Sequence, residues 1–510
     1  MSSRFIGAET EYGITTPSAP ELSPIVSSTH AVVAYAALHT KARSRWDFAA
    51  EHPLRDSRGF DLKRYSTVPV VDPNAIGVAN VILPNGARYY VDHAHPEYSA
   101  PECDNAWDAM VHDAAGNVVV QRAAQALAQL EQQGASVLDG HEPCPPVRFY
   151  KNNVDGKGAA YGSHENYLYS RETDFDAMAA ALIPFFVTRQ VVVGAGRVGI
   201  GPSGEEAGFQ ISQRADYFEQ EISLETTLNR GIINTRDEPH ADADRFGRLH
   251  VIIGDANQSQ TSNLLKFGMT ALVLDAIESG VDFSDLQLTA PVEELERVSR
   301  DVTLQHRLQL ADGRELSALE VLAEYRQRVT ATTEVDRKVL AAWDEAVALL
   351  AEDPLSAAHL LDWVAKYRLV RAYMDRGIAA DNPKLAAIDL QYADVDPDKS
   401  LYYALLRKGQ MRELVSGDEL AAAADTPPDS SRAYLRGRVL EKFGDAVAAA
   451  SWDTIVLHAH INGLDKQAVL RLKEVGSATA THVGQAVDEA GDVPELLEAL
   501  ARAGITAEYR

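Results

Sequence analysis

Apolar and polar positions alternate with a period of two in several short stretches that carry charged residues. In Phe5-Ile6-Gly7-Ala8-Glu9-Thr10-Glu11-Tyr12-Gly13-Ile14 this predicts a strand with Glu9 and Glu11 on one face. Asn85-Gly86 is the strongest kind of short turn signal, so residues 79–83 and 87–91 read as the arms of a hairpin. Its second arm puts Arg88, Tyr90 and Asp92 together, and Glu97 and Glu102 follow within RYYVDHAHPEYSAPECD, residues 88–104. Helical spacing predicts helices over 28–42 and 118–133. Strands are expected over 147–153 and 161–167, where His164 and Asn166 share a face. Residues 250–257, HVIIGDAN, include Val251-Ile252-Ile253, apolar on both faces, and read as a buried central strand opened by His250. From Leu264 onward the chain reads as mostly helical, with core stripes at Leu319, Leu322, Arg326 and Val329, then Leu340, Trp343, Val347 and Leu350.

Breaks in the pattern divide the chain. Thr426-Pro427-Pro428-Asp429 is the clearest linker, giving a large domain over 1–425 and a small one of mixed character over 426–510. A flexible insert over about 43–77 is rich in charge, Pro and Gly. Trp46, Phe48, Leu54 and Phe60 make it too apolar for a solvated linker, so a lid is expected. Gly194-Ala195-Gly196-Arg197-Val198-Gly199 matches GxGxxG after a strand-like run at 189–193. A dinucleotide site needs those glycines to open a helix, and Gly199, Gly201, Pro202 and Gly204 crowd the place where it would start. A loop is the expected structure.

Composition narrows the class. A chain of 510 residues with 46% hydrophobic and 24% charged positions is an ordinary globular protein of two or three domains. A net charge of −26 repels nucleic acid and anionic membrane surfaces, so neither is an expected partner. Cys103 and Cys144 form no disulfide framework, which fits a reducing cytosol. The N-terminus runs straight into an acidic strand rather than a secretory apolar segment, and no run of about 18 apolar residues is present to span a membrane. A cytoplasmic protein is expected.

Two carboxylate-bearing strands then suggest chemistry. Glu9 and Glu11 repel across one face unless a cation sits between them, and oxygen ligands suit Mg²⁺ bridging to nucleotide phosphates. In residues 233–245, INTRDEPHADADR, the mixture of Arg236, His240 and carboxylates suits a phosphate and a second metal position; a polar turn stitched by local ion pairs would read the same way.

GAETEYGI, NGARYYVDHAHPEYSAPECD, YGSHENYL and INTRDEPHADADR, in that order, resemble the Pup ligase/Pup deamidase family of the carboxylate-amine ligase superfamily, from about Arg4 to past Trp452. The resemblance implies an α+β fold. Its large domain is glutamine-synthetase-like, with a curved antiparallel sheet and helices, and a small C-terminal domain follows. It implies ATP (or ADP plus phosphate) and Mg²⁺ as bound cofactors. In this family the small protein Pup is joined through its C-terminal residue to substrate lysines by an isopeptide bond. PLRD and RGFD in the insert, and Ala100 where ligases of the family commonly carry Thr, point to the deamidase/depupylase branch. The implied activity is hydrolysis of the isopeptide bond, together with deamidation of a C-terminal Gln of Pup to Glu. A Pup–protein ligase, a non-catalytic ATP-dependent Pup-binding protein and a small-molecule carboxylate-amine ligase are the alternatives.

Carried over residue by residue, Asp92 is the catalytic group, as nucleophile or as general base on water. Glu9, Tyr90 and Glu97 are metal ligands, joined by His164 and His240. Glu11, Arg88, Ser99, Asn166 and Trp452 contact the nucleotide, and Arg236 meets a phosphate. Pup is acidic and disordered when free, so an acidic enzyme needs a local basic groove for it; Arg197, Arg214 and Arg230 are the candidates. The implied partners are Pup and pupylated proteins, with a functional link to the bacterial proteasome or its ATPase, and the implied state is a monomer.

Overall fold

The alternation at the N-terminus builds the centre of the molecule. In the computed structural model, which describes residues 4–39, 45–47, 51, 55–58, 76–461 and 463–510, the strand Ile6–Glu11 lies inside an eight-stranded sheet. From one edge the order is Phe218–Ser223, Arg230–Asn234, Phe246–Val251, Ser163–Ser170, Ile6–Glu11, His95–Ser99, Arg88–Asp92 and Asn80–Ile82. Neighbours run antiparallel except the first pair, which is parallel, so the sheet departs from the purely antiparallel expectation at one edge. The expected hairpin is present, and Gly86 sits in its turn at φ +80°. A Cβ there would lie 2.7 Å from the Ala433 carbonyl oxygen, so Gly is required by contact as well as by conformation.

One face of the sheet is covered by helices. Ala8, Thr10, Tyr89, Val91, Tyr98, Tyr167, Leu249 and Val251 are buried in one apolar cluster with residues of Ala106–Gln132, Phe175–Val193 and Gln260–Glu278, Thr10 joining by its hydrogen bond. Asn105 and Ser259 cap the first and third of these helices, accepting from the Asp108 and Ser262 amides. Thr10 donates to Asp113 (2.9 Å), which also pairs with Lys151 (2.8 Å), both essentially without solvent. The carboxylate-bearing strand is thereby pinned from beneath, with Glu9 and Glu11 left on the free face. The helix Phe175–Val193 is long and apolar enough to cross a membrane, but 83% of its apolar window is buried in the fold, as in a core helix. It also absorbs residues 189–193, expected to be strand-like. A fully buried helix shows no amphipathic period, and Val191-Val192-Val193 imitates a strand. No helix follows the GxGxxG match; the chain forms the ribbon Arg197–Ile200 with Glu206–Gln210.

A second core unites the helices Ala433–Phe443, Ala480–Glu489 and Val493–Arg502 with a five-stranded sheet. Its edge strand is Arg45–Trp46, which pairs in parallel with Ala449 and Ala450. Trp46 is buried in this core, as its apolar character required. Phe48, Leu54, Phe60 and most of the insert over 43–77 lie outside the described residues. Residues 55–58 continue against the large sheet: the Ser57 amide donates to Thr235 O, and Asp237 donates to Arg55 O.

Candidate active site

Register on the free face of the sheet decides which side chains meet. Glu9 lies opposite Ser99 on one side and His164 on the other; Ser99 lies opposite Arg88, Glu11 opposite Glu97, and Glu97 opposite Tyr90. Across the next strand Asn166 lies opposite His250. Of these, Glu9, Arg88, Tyr90, Glu97, Ser99, His164 and His250 floor a cavity of about 360 Å³ that is also lined by Asp92, His93, Thr226, Arg236, Glu238, His240, Arg248 and Trp452. A smaller apolar pocket of about 80 Å³ adjoins it, sharing Glu9, Ser99, His240, Arg248 and Trp452 and adding Phe5, Ala100, Leu168 and Val475.

Two donor groups stand out. Glu11, Asp92 and Glu97 offer oxygens within 4.8 Å of one another, and so do the ligand atoms of Glu9, His164 and His250. Burial, then the charges of Asp92, Glu9 and Glu11, push Glu97 well above the usual carboxylate range. The Tyr90 hydroxyl donates to it at 2.6 Å, and Ser99 Oγ at 3.2 Å. Glu9 is also buried, which alone would raise it, but contact with His164 (3.2 Å) and the positive charge of Arg248 hold it low. Asn166 donates to its other oxygen at 3.1 Å and accepts from Arg248. Glu11 accepts from the Gly162 amide at 2.7 Å and lies 3.2 Å from His95.

His250, to which the sequence assigns no role, joins Glu9 and His164 in one of these groups. Asn234 Nδ2 faces the carbonyls of Ser223, Leu224 and Glu225, which turns Oδ1 toward His250 Nδ1 at 3.2 Å. The proton therefore sits on Nδ1, and the lone pair of Nε2 points toward Glu9 at 3.9 Å. Nε2 is buried without a hydrogen-bond partner, and burial with the Arg248 charge keeps the ring uncharged. Sequence had put His250 at the start of its strand, whereas it is the penultimate residue of Phe246–Val251. Period two from His164 and Asn166 on the neighbouring strand was the signal that could have found it. His240 lines both cavities at φ +46° but is not in either donor group.

Guanidinium groups ring the far side. Arg236 pairs with Glu238 (2.8 Å), and Arg248 lies 3.8 Å from both Glu238 and Glu9. Arg88 lies over the rings of Tyr90 (3.8 Å) and Trp46 (4.0 Å). Trp46 in turn meets Trp452 edge to face at 5.2 Å. Of the three arginines expected to guide a tail, Arg197 and Arg214 are in the interior. Arg197 holds the carbonyls of Gly201 and Pro202, and Arg214 that of Tyr161, so neither is a surface guide.

Imidazoles, carboxylates and guanidinia converge on one sheet face beside an apolar pocket, a donor set whose chemistry suits a cation and a phosphate-bearing ligand. The family described as Pup-ligase protein matches residues 4–456, and the chain belongs to that family. It is 51% identical to the Pup deamidase/depupylase of Mycolicibacterium smegmatis (strain ATCC 700084 / mc(2)155), covering 98% of this chain and 99% of that one. Identity is 49% to the protein of the same name from Mycobacterium tuberculosis H37Rv (99% and 100% covered) and 46% to the depupylase of Acidothermus cellulolyticus (98% and 99%). Among solved structures, the complex of the ubiquitin-like protein Pup with its ligase PafA superposes with a TM-score of 0.76 at 30% identity, over 96% of this chain and 92% of that one. PafA bound to ADP gives 0.70 at 32% identity, over 84% and 96%.

Proposed function

We propose that this protein is a depupylase. It hydrolyses the isopeptide bond between the C-terminal Glu of Pup and substrate lysines, and converts a C-terminal Gln of Pup to Glu where one is present. The relatives near 50% identity that carry that name support the reading. The observation that carries it is Asp92 at the rim of the cavity, in one oxygen cluster with Glu11 and Glu97.

The donor sets fit a divalent cation with a nucleotide. A buried imidazole lone pair faces Glu9, and burial followed by three neighbouring carboxylate charges, which a cation would offset, pushes Glu97 well above the usual carboxylate range. Glu9, Tyr90, Glu97, His164 and His250 would hold the metal, with His240 in the wall rather than as a ligand. Arg88, Arg236, Arg248, Ser99 and Asn166 would meet the nucleotide, and Trp452 and the apolar pocket its base. When bound, Mg²⁺ would supply positive charge to polarise the scissile carbonyl. The chain's own work is done by Asp92. As nucleophile its oxygen adds to the side-chain carbonyl carbon, the amine leaves with a proton, and water resolves the resulting anhydride. As base it takes a proton from the water that attacks the same carbon, and gives that proton to the amine as the C–N bond breaks.

The test is cleavage of a Pup-tagged protein with Mg-ATP by the wild type, Asp92→Ala and Asp92→Asn. Loss of at least about a thousandfold in both variants, with Pup binding retained, is expected. Full activity in either variant removes Asp92 from this role. Absence of cleavage, with new conjugates on adding free Pup, would move the chain to the ligase branch.

A further inference from the structure

Arg214 and Arg230 form a buried pair of cations that has no ion-pair partner among the described residues. Arg214 is 1% exposed and Arg230 8%. Arg230 donates to the carbonyls of Thr226 (2.7 Å) and Ala160 (3.3 Å), and Arg214 to that of the next residue, Tyr161. Arg214 Nε has no partner. Among the described residues neither guanidinium comes within 4.0 Å of a carboxylate, whereas Arg88, Arg236 and Arg248 each do. Burying two like charges against neutral carbonyls is unfavourable unless an anion completes the arrangement. The strain is visible in Arg214, which burial and the Arg230 charge bring down to about 10.

Position identifies the anion. Both arginines lie within the field of Glu11, which belongs to the oxygen cluster of Asp92 and Glu97. Tyr161, whose carbonyl Arg214 holds, stacks its ring on His95 at 4.2 Å, and His95 touches Glu11. Thr226, whose carbonyl Arg230 holds, lines the main cavity. The pair therefore stands behind the cavity wall at Thr226, within the field of the carboxylate cluster that includes Asp92. In a Pup-linked lysine the side-chain carbonyl of the terminal Glu is the group cleaved. Its free α-carboxylate lies about 5 Å away along the same residue. A planar carboxylate matches the fork of a guanidinium.

We infer that Arg230, backed by the fixed charge of Arg214, is the receptor for the α-carboxylate of Pup's terminal residue. The inference rests on the proposed depupylase activity. It makes the enzyme a reader of chain ends: a side-chain amide on an internal Glu or Gln has no free α-carboxylate and is rejected.

The experiment uses two peptides carrying the C-terminal segment of Pup, with the terminal Glu side chain linked to lysine. One ends in a free α-carboxylate and the other in an α-carboxamide. Wild type is expected to favour the carboxylate by about ten- to a hundredfold in kcat/KM, mostly through KM. Arg230→Gln should lose that preference by slowing only the carboxylate peptide, and Arg230→Lys should keep part of it. ATP binding of both variants should match wild type, and a cooperative thermal unfolding transition should be retained. Equal cleavage of the two peptides by wild type overturns the inference and leaves the depupylase reading standing. Equal slowing of both peptides by Arg230→Gln makes the residue structural and overturns it too. Cleavage of neither peptide by wild type overturns the activity, and the inference with it.

Discussion

At the scale of single residues, the site is decided by which lone pair each imidazole presents. Asn234 sets the tautomer of His250 by spending its own amide protons on three backbone carbonyls, and second-layer bonds of this kind are worth about ten- to a hundredfold in metal affinity. His240 shares the cavity, but burial and the Arg248 charge only lower it, to about 4, without aiming it at a carboxylate cluster. His250→Gln should therefore weaken Mg²⁺ or Mn²⁺ binding at least about tenfold in calorimetric titration. His240→Gln should leave it within about twofold. The reverse order would return the cation to His240.

At the scale of elements, the central stretch is clamped to the C-terminal unit. Glu102 takes Arg432 at 2.9 Å and Arg436 at 2.5 Å, and both arginines are buried. Burial alone would raise Glu102, but Arg436 and Arg432 hold it down to about 2. A carboxylate lowered on folding gives stability that is complete above its unfolded value near 4.5 and is lost as pH falls toward 2. The amount is on the order of 3 kcal/mol. Glu102→Gln should cost about 3–5 kcal/mol at pH 7, because two buried arginines lose their partner. The penalty should shrink below pH 4, which urea unfolding across pH would read. Strands with one polar face were legible from sequence: Glu9, Arg88, Tyr90 and His164 came from period two and Glu97 from its nearness along the chain, and all lie on one face. The resemblance supplied their roles. Pairings between distant strands were not legible. Nothing local places Phe246–Val251 beside Ser163–Ser170, so His250 and Arg248 went unassigned, and Arg197 and Arg214 looked like surface cations. The run at 189–193 failed for a different reason, since burial on every side erases the helical period.

At the scale of the molecule, the wall of the site is drawn from two cores. Glu9, Ser99, Asn166 and Arg248 come from the large sheet, while Trp452, Arg432 and Val475 come from the C-terminal unit. Trp46, from the edge of the insert, bridges them through Arg88 on one side and Trp452 on the other. A ligand seated between them stabilises both cores against separation, by about 2.7 kcal/mol at a hundred times its Kd. Mg-ATP should therefore raise Tm, and the rise should grow with the logarithm of its concentration. Trp452→Ala removes one side of the wall and should abolish most of that rise. Trp46→Leu keeps the apolar packing of its strand but removes the ring from Arg88 and Trp452, so it should weaken nucleotide binding about threefold to tenfold, within the range of a lost cation–π contact. Scanning calorimetry with and without Mg-ATP separates these effects from a general loss of stability. A nucleotide-induced shift that survives Trp452→Ala unchanged would place the base outside the apolar pocket and confine the ligand to the large sheet.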